Sequence, residues 1–280
     1  MGGGILNLIA QGNQNIILTG NPTKSFFKAK FSKYTNFGLQ KFRINQVGQT
    51  ELNISKETKY SFKINRHADL LMDMYLVVTL PNIWSPVLNY IDASINEYRP
   101  YEFQWIKNIG CQLIKNVEFT IGGYLIQKFS GSYIQNMVER DFDSNKKQLF
   151  DIMTGNTKEL YDPANFSNRN NNYPNAFKII DTSINAIEPS IASHQLYIPL
   201  NAWFSMSSYM ALPLICLQYA ELEVTFTLRP LKELYTIKDV KYDTSLNPIK
   251  FYENIPRIHP YQNDEIYQLH RFIQEPPVRD

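Results

Sequence analysis

The chain has 280 residues, of which 44% are hydrophobic, 14% aromatic and 19% charged, and its formal net charge is +2. This length suffices for a substantial buried core, while the nearly neutral charge gives no overall argument for binding nucleic acid or an acidic membrane. The sequence also lacks the ~20-residue apolar run of a membrane-spanning helix.

The N-terminal stretch interleaves aromatic rings with cations. Residues 12–37 read GNQNIILTGNPTKSFFKAKFSKYTNF and contain the basic stretch of the chain. We predict an arm that packs through its rings and leaves its lysines in solvent. Stacking on nucleic-acid bases, with lysine contacts to phosphates, is the alternative. The four lysines of this stretch are Lys24, Lys28, Lys30 and Lys33.

Two strand patterns follow the arm. KYSFKIN (59–65) places Tyr60, Phe62 and Ile64 on one face and polar residues on the other, which predicts a half-buried strand. MYLVVTL (74–80) is continuously apolar and is followed by a proline. A continuous apolar run is typical of a strand that is buried on both faces, so we predict one here.

The middle of the chain contains a clear hairpin pattern. Residues 81–105 are aromatic and interrupted by prolines, which predicts an irregular loop. In LIKNVEFTIGGYLIQKFSG (113–131), Val117, Phe119 and Ile121 alternate with polar residues before Gly122 and Gly123, and Tyr124 to Phe129 form the returning strand. Because glycine adopts positive φ at little cost, this pair predicts the turn of a β-hairpin.

Helix patterns are few and short. Residues 131–142 have Tyr133, Met137 and Val138 at helical spacing, with Ser132 as the candidate N-cap. Further segments have one predicted structure each: an exposed asparagine-rich loop at 162–175, strands at 194–200 and 214–230, one or two helical turns at 202–210, and a short helix at 263–273.

The sequence shows no catalytic signature: it has no GxSxG, P-loop, GxGxxG or HExxH pattern. Cys111 and Cys216 lie outside any CxxC pair, which predicts reduced thiols in the core of an intracellular protein. Glu139, Asp141 and Asp143 could bind a cation, but we interpret them as a solvated helix end. The four histidines are isolated from one another: His67, His194, His259 and His270. We therefore expect no metal, no cofactor and no enzymatic activity.

Long motifs follow one another over nearly the whole chain. The N-terminal ones are LTGNP (18–22), FFK (26–28) and TNF (35–37). The later ones are RHADLL (66–71), WIKNIGCQLIKNVEFTIGG (105–123), LYIPLNAWF (196–204), ALPLICLQYAELEVTF (211–226), RPLKELYTIKDV (229–240) and IYQLHRFIQEPP (266–277). In this order they resemble the major capsid proteins of nucleocytoplasmic large DNA viruses, and the last two resemble the mimivirus-like members.

The resemblance implies an all-β fold with few short helices: an antiparallel jelly-roll sandwich, the first of the two in a double jelly-roll capsid protein. It places strand H at residues 220–228 and the last strand, I, after Asp280, so that two neighbouring strands would lack a partner between them. The implied domains are an N-terminal arm (1–37), the first jelly roll (38–235) and a connecting segment (236–280) toward a second jelly roll. We expect this chain to be the N-terminal piece of a longer capsid protein.

The implied function is that of a structural major capsid protein. Such proteins form homotrimeric, pseudo-hexagonal capsomers of an icosahedral virion shell, assembled in the host cytoplasm. The expected partners are neighbouring capsomers and minor capsid proteins, near an inner viral membrane, without specific nucleic acid. The residues expected to dock the arm onto the sandwich base or an adjacent subunit are Phe26, Phe27, Lys28, Phe31, Tyr34 and Phe37.

A carbohydrate-binding jelly-roll module is the alternative function. In that case exposed aromatic rings of the 81–105 loop would stack on sugar rings. The candidate rings are Trp84, Tyr90, Tyr98, Tyr101 and Trp105.

Overall fold

The computed structural model of the protein describes residues 36–46, 52–92, 95–175, 188–243, 245–246, 250–260, 264–275 and 277–280. The chain divides into two units, Met1–Arg43 and Ile44–Asp280. In the first unit, the described residues 36–43 contain neither helix nor strand. All the helices and strands described below belong to the second unit.

Short antiparallel strands make up most of the regular structure. The strands are β1 Thr58–Ile64, β2 Leu70–Leu71, β3 Tyr75–Leu80, β4 Val87–Asp92, β5 Ile95–Pro100, β6 Glu102–Trp105, β7 Ile114–Ile121, β8 Tyr124–Phe129, β9 His194–Pro199, β10 Leu212–Pro213, β11 Leu222–Leu228, β12 Tyr235–Lys238, β13 Tyr242–Asp243 and β14 Lys250–Phe251. The predicted antiparallel all-β class is confirmed.

The helices are few and short, as predicted. The α-helices are α1 Ile109–Leu113, α2 Gly131–Asp141, α3 Ser144–Thr154, α4 Lys158–Tyr161 and α5 Leu269–Phe272. The 3-10 turns are Pro163–Asn168, Trp203–Ser205, Ser208–Met210, Leu214–Cys216, Leu231–Glu233 and Glu265–Tyr267. The turns predicted at 202–210 are confirmed as two 3-10 turns, and the helix predicted at 263–273 divides into a 3-10 turn and α5.

The central sheet has the strand order β1-β11-β7-β8. On β11, the residues of one face are buried: Leu222, Val224, Phe226 and Leu228. On the opposite face, Ser61 of β1 and Thr225 of β11 share a hydrogen bond of 2.7 Å between their hydroxyl oxygens. The alternation predicted for β1 and for the first strand of the hairpin, β7, is therefore confirmed, and the turn has Gly122 and Gly123 at φ of 56° and 85°.

The described central sheet has no gap beside the strand predicted at 220–228. Strand β11 pairs along its whole length with β1, from Thr58 opposite Leu228 to Ile64 opposite Leu222. Its other edge pairs with β7. The backbone groups of β11 are therefore satisfied on both sides, and the lack of a last strand elsewhere in the sandwich stays a prediction. The predicted strand at 214–230 begins only at Leu222, after the 3-10 turn Leu214–Cys216.

Strand β3 is buried on one face only, which corrects the prediction for residues 74–80. Its partner among the described strands is β9. The inner face of β9 lies against the helices, because Leu196 and Ile198 approach Gly155 and Gly110. Tyr75 and Val77, on the outer face of β3, are each 45% exposed. An apolar run alone does not reveal that only one side of this two-stranded ribbon is covered.

Residues 81–105 form strands rather than the predicted irregular loop. Strands β4 and β5 make a hairpin from Val87 opposite Pro100 to Asp92 opposite Ile95, and β6 pairs with β12. The prolines that suggested a loop, Pro86 and Pro100, stand before the first strand and at the end of the second. Proline is tolerated there because no ladder hydrogen bond from its nitrogen is needed.

The two longer helices each have a side-chain cap, and that of α2 differs from the predicted one. Ser130, not Ser132, caps α2: its hydroxyl accepts a hydrogen bond of 3.3 Å from the backbone N–H of Tyr133. Asp143 caps α3 in the same way, and Gly155 ends this helix at a φ of 77°. Helix α3 was not predicted from the sequence. Its apolar side chains are not confined to one face of the helix, because Leu149 and Ile152 are exposed.

The asparagine-rich segment at 162–175 is not exposed throughout, because Pro163 and Ala164 near its start are buried in a 3-10 turn. Asn170 and Asn171 adopt positive φ, in agreement with an exposed turn, but Tyr173 is buried. Its hydroxyl lies 2.8 Å from the hydroxyl of Ser85 and accepts a hydrogen bond of 3.2 Å from the N–H of Phe103. The backbone N–H of Ser85 also donates to the hydroxyl of Ser190 at 3.4 Å. Ser85 therefore holds both Tyr173 and Ser190.

Replacing Tyr173 with phenylalanine is expected to lower the free energy of unfolding by about 1–3 kcal/mol, because the buried N–H of Phe103 loses its acceptor. Urea denaturation measures the change. Tyr209→Phe is the matched control, because Tyr209 is 99% exposed and its hydroxyl should contribute nothing. Equal denaturation midpoints for the two variants would contradict this role of Tyr173.

The segment after residue 235 contacts the core through several of its described residues. Strand β12 pairs with β6, the ring of Phe272 is fully buried, and the backbone N–H of Val87 donates to the carbonyl of Val278 at 3.0 Å. The guanidinium of Arg271 holds the carboxylate of Asp280 through contacts of 2.5 and 2.7 Å. The predicted domain boundary at 235/236 stays a prediction.

Candidate functional site

Most of the predicted arm lies outside the described residues. This applies to Phe26, Phe27, Lys28, Phe31 and Tyr34. Phe37 is described and is 84% exposed. The docking role of these residues therefore stays a prediction.

The aromatic rings proposed for sugar stacking are buried wherever their side chains are described. Trp84, Tyr101 and Trp105 belong to the core. Burial, reinforced by the nearby carboxylate of Asp280, raises the pKa of Tyr101. A ring inside the core cannot stack on a sugar, so the carbohydrate interpretation is wrong for these three residues. The side chains of Tyr90 and Tyr98 lie outside the described part of the chain.

The acidic cluster is a solvated helix end, as predicted. Glu139 forms an ion pair of 2.7 Å with Lys147, Asp141 pairs with Arg140 at 2.6 Å, and Asp143 caps α3. In the described ranges, no three His, Cys, Asp or Glu residues come together as a metal site would require. None of the helices described here is long and apolar enough to cross a membrane.

The two cysteines occupy different environments. Cys111 is buried as predicted, and burial raises the pKa of its thiol to about 12. Cys216 is exposed, which corrects the prediction of a core position. It ends the 3-10 turn Leu214–Cys216, in which only Leu214 is buried.

One end of the central sheet carries a surface that we call the loop-end surface: residues 66–71, 122–126 and 203–221. Strands β1 and β7 end there, and strands β8 and β11 begin there. The first segment includes β2, the second joins the turn and start of the β7–β8 hairpin, and the third leads into β11.

Hydrogen bonds hold the three segments together. The backbone N–H of Trp203 donates to the side chain of Gln127 at 3.3 Å. The N–H of Leu214 donates to the carbonyl of Asp69 at 2.8 Å, and the N–H of Gly122 donates to the carbonyl of Glu221 at 3.1 Å. The loop-end surface is therefore a defined structure rather than a set of unrelated loops.

The loop-end surface exposes many apolar side chains. Tyr209 and Tyr219 are both 99% exposed. The other large exposed ones are Leu70, Tyr124, Leu125, Ile126, Met206, Met210 and Ile215. A concentration of exposed apolar residues on a folded domain marks an interaction site.

The loop-end surface is also nearly without charge. Residues 201–220 contain no Asp, Glu, Lys or Arg, and neither do residues 119–127. The charged residues of the surface are Arg66 and Asp69 in its first segment and Glu221 at the end of its third. A cleft of about 480 Å³ is lined in part by Arg66, Tyr219 and Glu221, and Lys63 pairs with Glu221 at 2.8 Å.

The sequence analysis did not identify the loop-end surface, although a signal was present. Twenty consecutive residues without charge would have pointed to residues 201–220 in a chain that is 19% charged. The pattern at 214–230 predicts a strand, and that at 202–210 predicts helical turns. Met206, Tyr209 and Ile215 are exposed there, around a segment whose short strand β10 pairs with β2.

Comparison with known proteins gives one consistent family. A family model described as "Major capsid protein N-terminus" matches residues 25–264. "Capsid protein 1" of Acanthamoeba polyphaga mimivirus is 32% identical over 241 residues, which cover 85% of this chain and 36% of that protein. The "Major capsid protein" of Chrysochromulina ericina virus is 30% identical over 261 residues, covering 83% of this chain and 42% of that protein.

Among solved structures, the crystal structure of PBCV-1 VP54 fitted into a reconstruction of the virophage Sputnik is similar over 74% of this chain and 38% of that chain. The TM-score is 0.49 and the sequence identity 22%. The chain spans less than half of the two viral relatives named in the preceding paragraph, 36% of the mimivirus protein and 42% of the Chrysochromulina ericina virus protein.

Proposed function

The chain belongs to the major capsid protein family of large DNA viruses, and we propose from this that it is a structural subunit of an icosahedral virion shell. Its fold is the antiparallel jelly-roll sandwich of that family. In this function the protein works by packing: inward-facing apolar residues such as Val224 and Phe119 make a rigid β-sandwich, and surfaces outside the core contact other subunits. The family match over residues 25–264 carries the proposal.

The proposed assembly is a homotrimer that forms a pseudo-hexagonal capsomer. Neighbouring capsomers and minor capsid proteins are its proposed partners, next to an inner viral membrane, with assembly in the host cytoplasm. The proposed divisions of the chain are the arm (1–37), the first jelly roll (38–235) and a segment (236–280) that leads toward a second jelly roll. A structural role, rather than catalysis, is proposed throughout.

Deleting residues 1–37 is expected to leave the sandwich folded and to block assembly, because the proposed arm contacts an adjacent subunit through its rings. Circular dichroism with thermal melting follows the fold, and native mass spectrometry follows the assembly state.

Two further variants distinguish the contribution of the aromatic rings to assembly from that of the lysines. Phe26→Ala with Phe27→Ala and Phe31→Ala should lose assembly as the deletion does. Lys24→Ala with Lys33→Ala should retain it, because these lysines are expected in solvent. Normal particles formed by the truncated chain would rule out the arm as an assembly element.

A further inference from the structure

We propose that the loop-end surface is where copies of this chain meet one another in the assembled oligomer. This rests on the proposed function, which requires copies to associate but does not say through which surface. The occupant is a second copy of the chain, and the described contacts, exposure and charge of the loop-end surface support it.

The composition of the loop-end surface is that of an interface centre. Interface cores are enriched in tyrosine and methionine and depleted of charge, and binding energy concentrates in a few aromatic anchors. The loop-end surface has Tyr209 and Tyr219 almost fully exposed, with Met206 and Met210 beside Tyr209 in the chain. These tyrosines are the anchors that a partner would cover.

The charge distribution favours a second copy as that partner. When copies meet around a rotation axis, charges close to the axis face their own equivalents, and like charges in an interface are costly. The outer face of the central sheet carries Lys59, Lys63, Glu118 and Glu223. The loop-end surface carries no charge across residues 201–220 and 119–127, so these stretches can lie at such an axis without that repulsion; its charged residues, Arg66, Asp69 and Glu221, lie outside them.

A lipid surface fits less well. Binding to anionic lipid draws on clusters of lysine or arginine beside the apolar residues. Arg66 is the arginine of the loop-end surface, and its guanidinium donates to the carbonyl of Gln218 at 3.3 Å.

Strand β8 contributes side chains to the contact rather than a new sheet edge. It is one of the two edge strands of the central sheet as described, and β1 is the other. Tyr124, Leu125 and Ile126 are exposed one after another, because the pairing skips Ile126 between Leu125 and Gln127. Such a bulge turns an edge away from further strand pairing, while its apolar side chains remain free to pack.

The native chain carries a probe for this contact, because Cys216 is exposed within the loop-end surface and Cys111 is buried. A short bismaleimide added to the assembled full chain is expected to join two copies through Cys216. Cys216→Ser should abolish the product. In that background, Leu149→Cys on α3, outside the loop-end surface but exposed, should not restore it.

A second measurement tests the anchors. Tyr209→Asp with Tyr219→Asp is expected to weaken self-association by about tenfold or more in sedimentation velocity, the effect of losing interface anchors. Both side chains are exposed, so circular dichroism should be unchanged. Leu149→Asp with Ile152→Asp, which places the same two charges on α3, should not weaken it.

The outcomes distinguish this inference from the proposed function. Assembly without a Cys216 product, or assembly that tolerates Tyr209→Asp with Tyr219→Asp, overturns the inference and leaves the function standing. A full chain that never associates overturns both. Loss of binding to phosphatidylcholine vesicles in the tyrosine variant, with self-association intact, assigns the surface to lipid and also overturns the inference.

Discussion

Replacing Gly131 with alanine is expected to destabilise the protein by about 3 kcal/mol or more, or to prevent folding. A Cβ atom at Gly131 would lie 1.8 Å from the carbonyl oxygen of Cys111 and 2.7 Å from that of Ile114. Both atoms belong to the backbone, so no side chain can rotate to make room. The start of α2 would have to move away from α1 and β7, which are part of the core.

Urea denaturation of the Gly131 variant measures this effect. Gly38→Ala is the control, because a Cβ atom at Gly38 meets nothing within 4 Å, so its denaturation midpoint should stay near that of the wild type. If Gly131→Ala and Gly38→Ala denature at the same urea concentration, the close approach of α2 to the carbonyl of Cys111 is refuted.

Replacing Phe103 with alanine is expected to lower the free energy of unfolding by about 3–5 kcal/mol, the usual cost of removing a buried ring. Phe103 is fully buried in β6 and stacks on Tyr235 of β12 with ring centroids 5.0 Å apart. It also lies 5.3 Å from Phe272 of α5. The ring of Phe103 thus connects the β6–β12 pair to α5. A cavity at this position should therefore destabilise the segment 236–280 before the rest of the chain.

Two measurements separate the global and the local effect. Thermal denaturation gives the total loss of stability, and limited proteolysis shows whether cleavage within 236–280 accelerates before the rest of the chain is attacked. Phe37→Ala removes the same ring from an exposed position and should change neither. Unchanged proteolysis of 236–280 in the Phe103 variant would show that this ring does not hold the segment.

The sequence predicted those parts of the fold that depend on local alternation. Strands β1 and β7 repeat apolar and polar residues with period two, and Gly122 with Gly123 supplies the positive φ of the hairpin turn. These signals lie within a few residues of one another, so they do not depend on the rest of the chain. The family motifs then supplied the jelly-roll class, which alternation by itself could not.

Other features depend on partners that are distant in sequence. The outer face of β3 is exposed because only its inner side is covered, and nothing in MYLVVTL distinguishes the two. Strand β11 fills the sheet because β1 and β7, more than 90 residues away in the chain, pair with both of its edges. Leu214 is buried whereas Ile215 and Cys216 beside it are exposed, in a segment that the pairing of β10 with β2 holds in place. Such pairings cannot be deduced from the local pattern of one sequence.

The way in which Ser85 holds both Tyr173 and Ser190 has a practical consequence. Tyr173 and Ser190, at the two ends of the stretch between them, both contact Ser85. The length of that stretch can therefore change while its ends stay in place. Lengthening a connection between two fixed ends costs little additional closure entropy. A foreign peptide spliced between residues 174 and 189 would therefore leave the sandwich unaltered. In the proposed shell of many copies, every copy would then carry the inserted peptide.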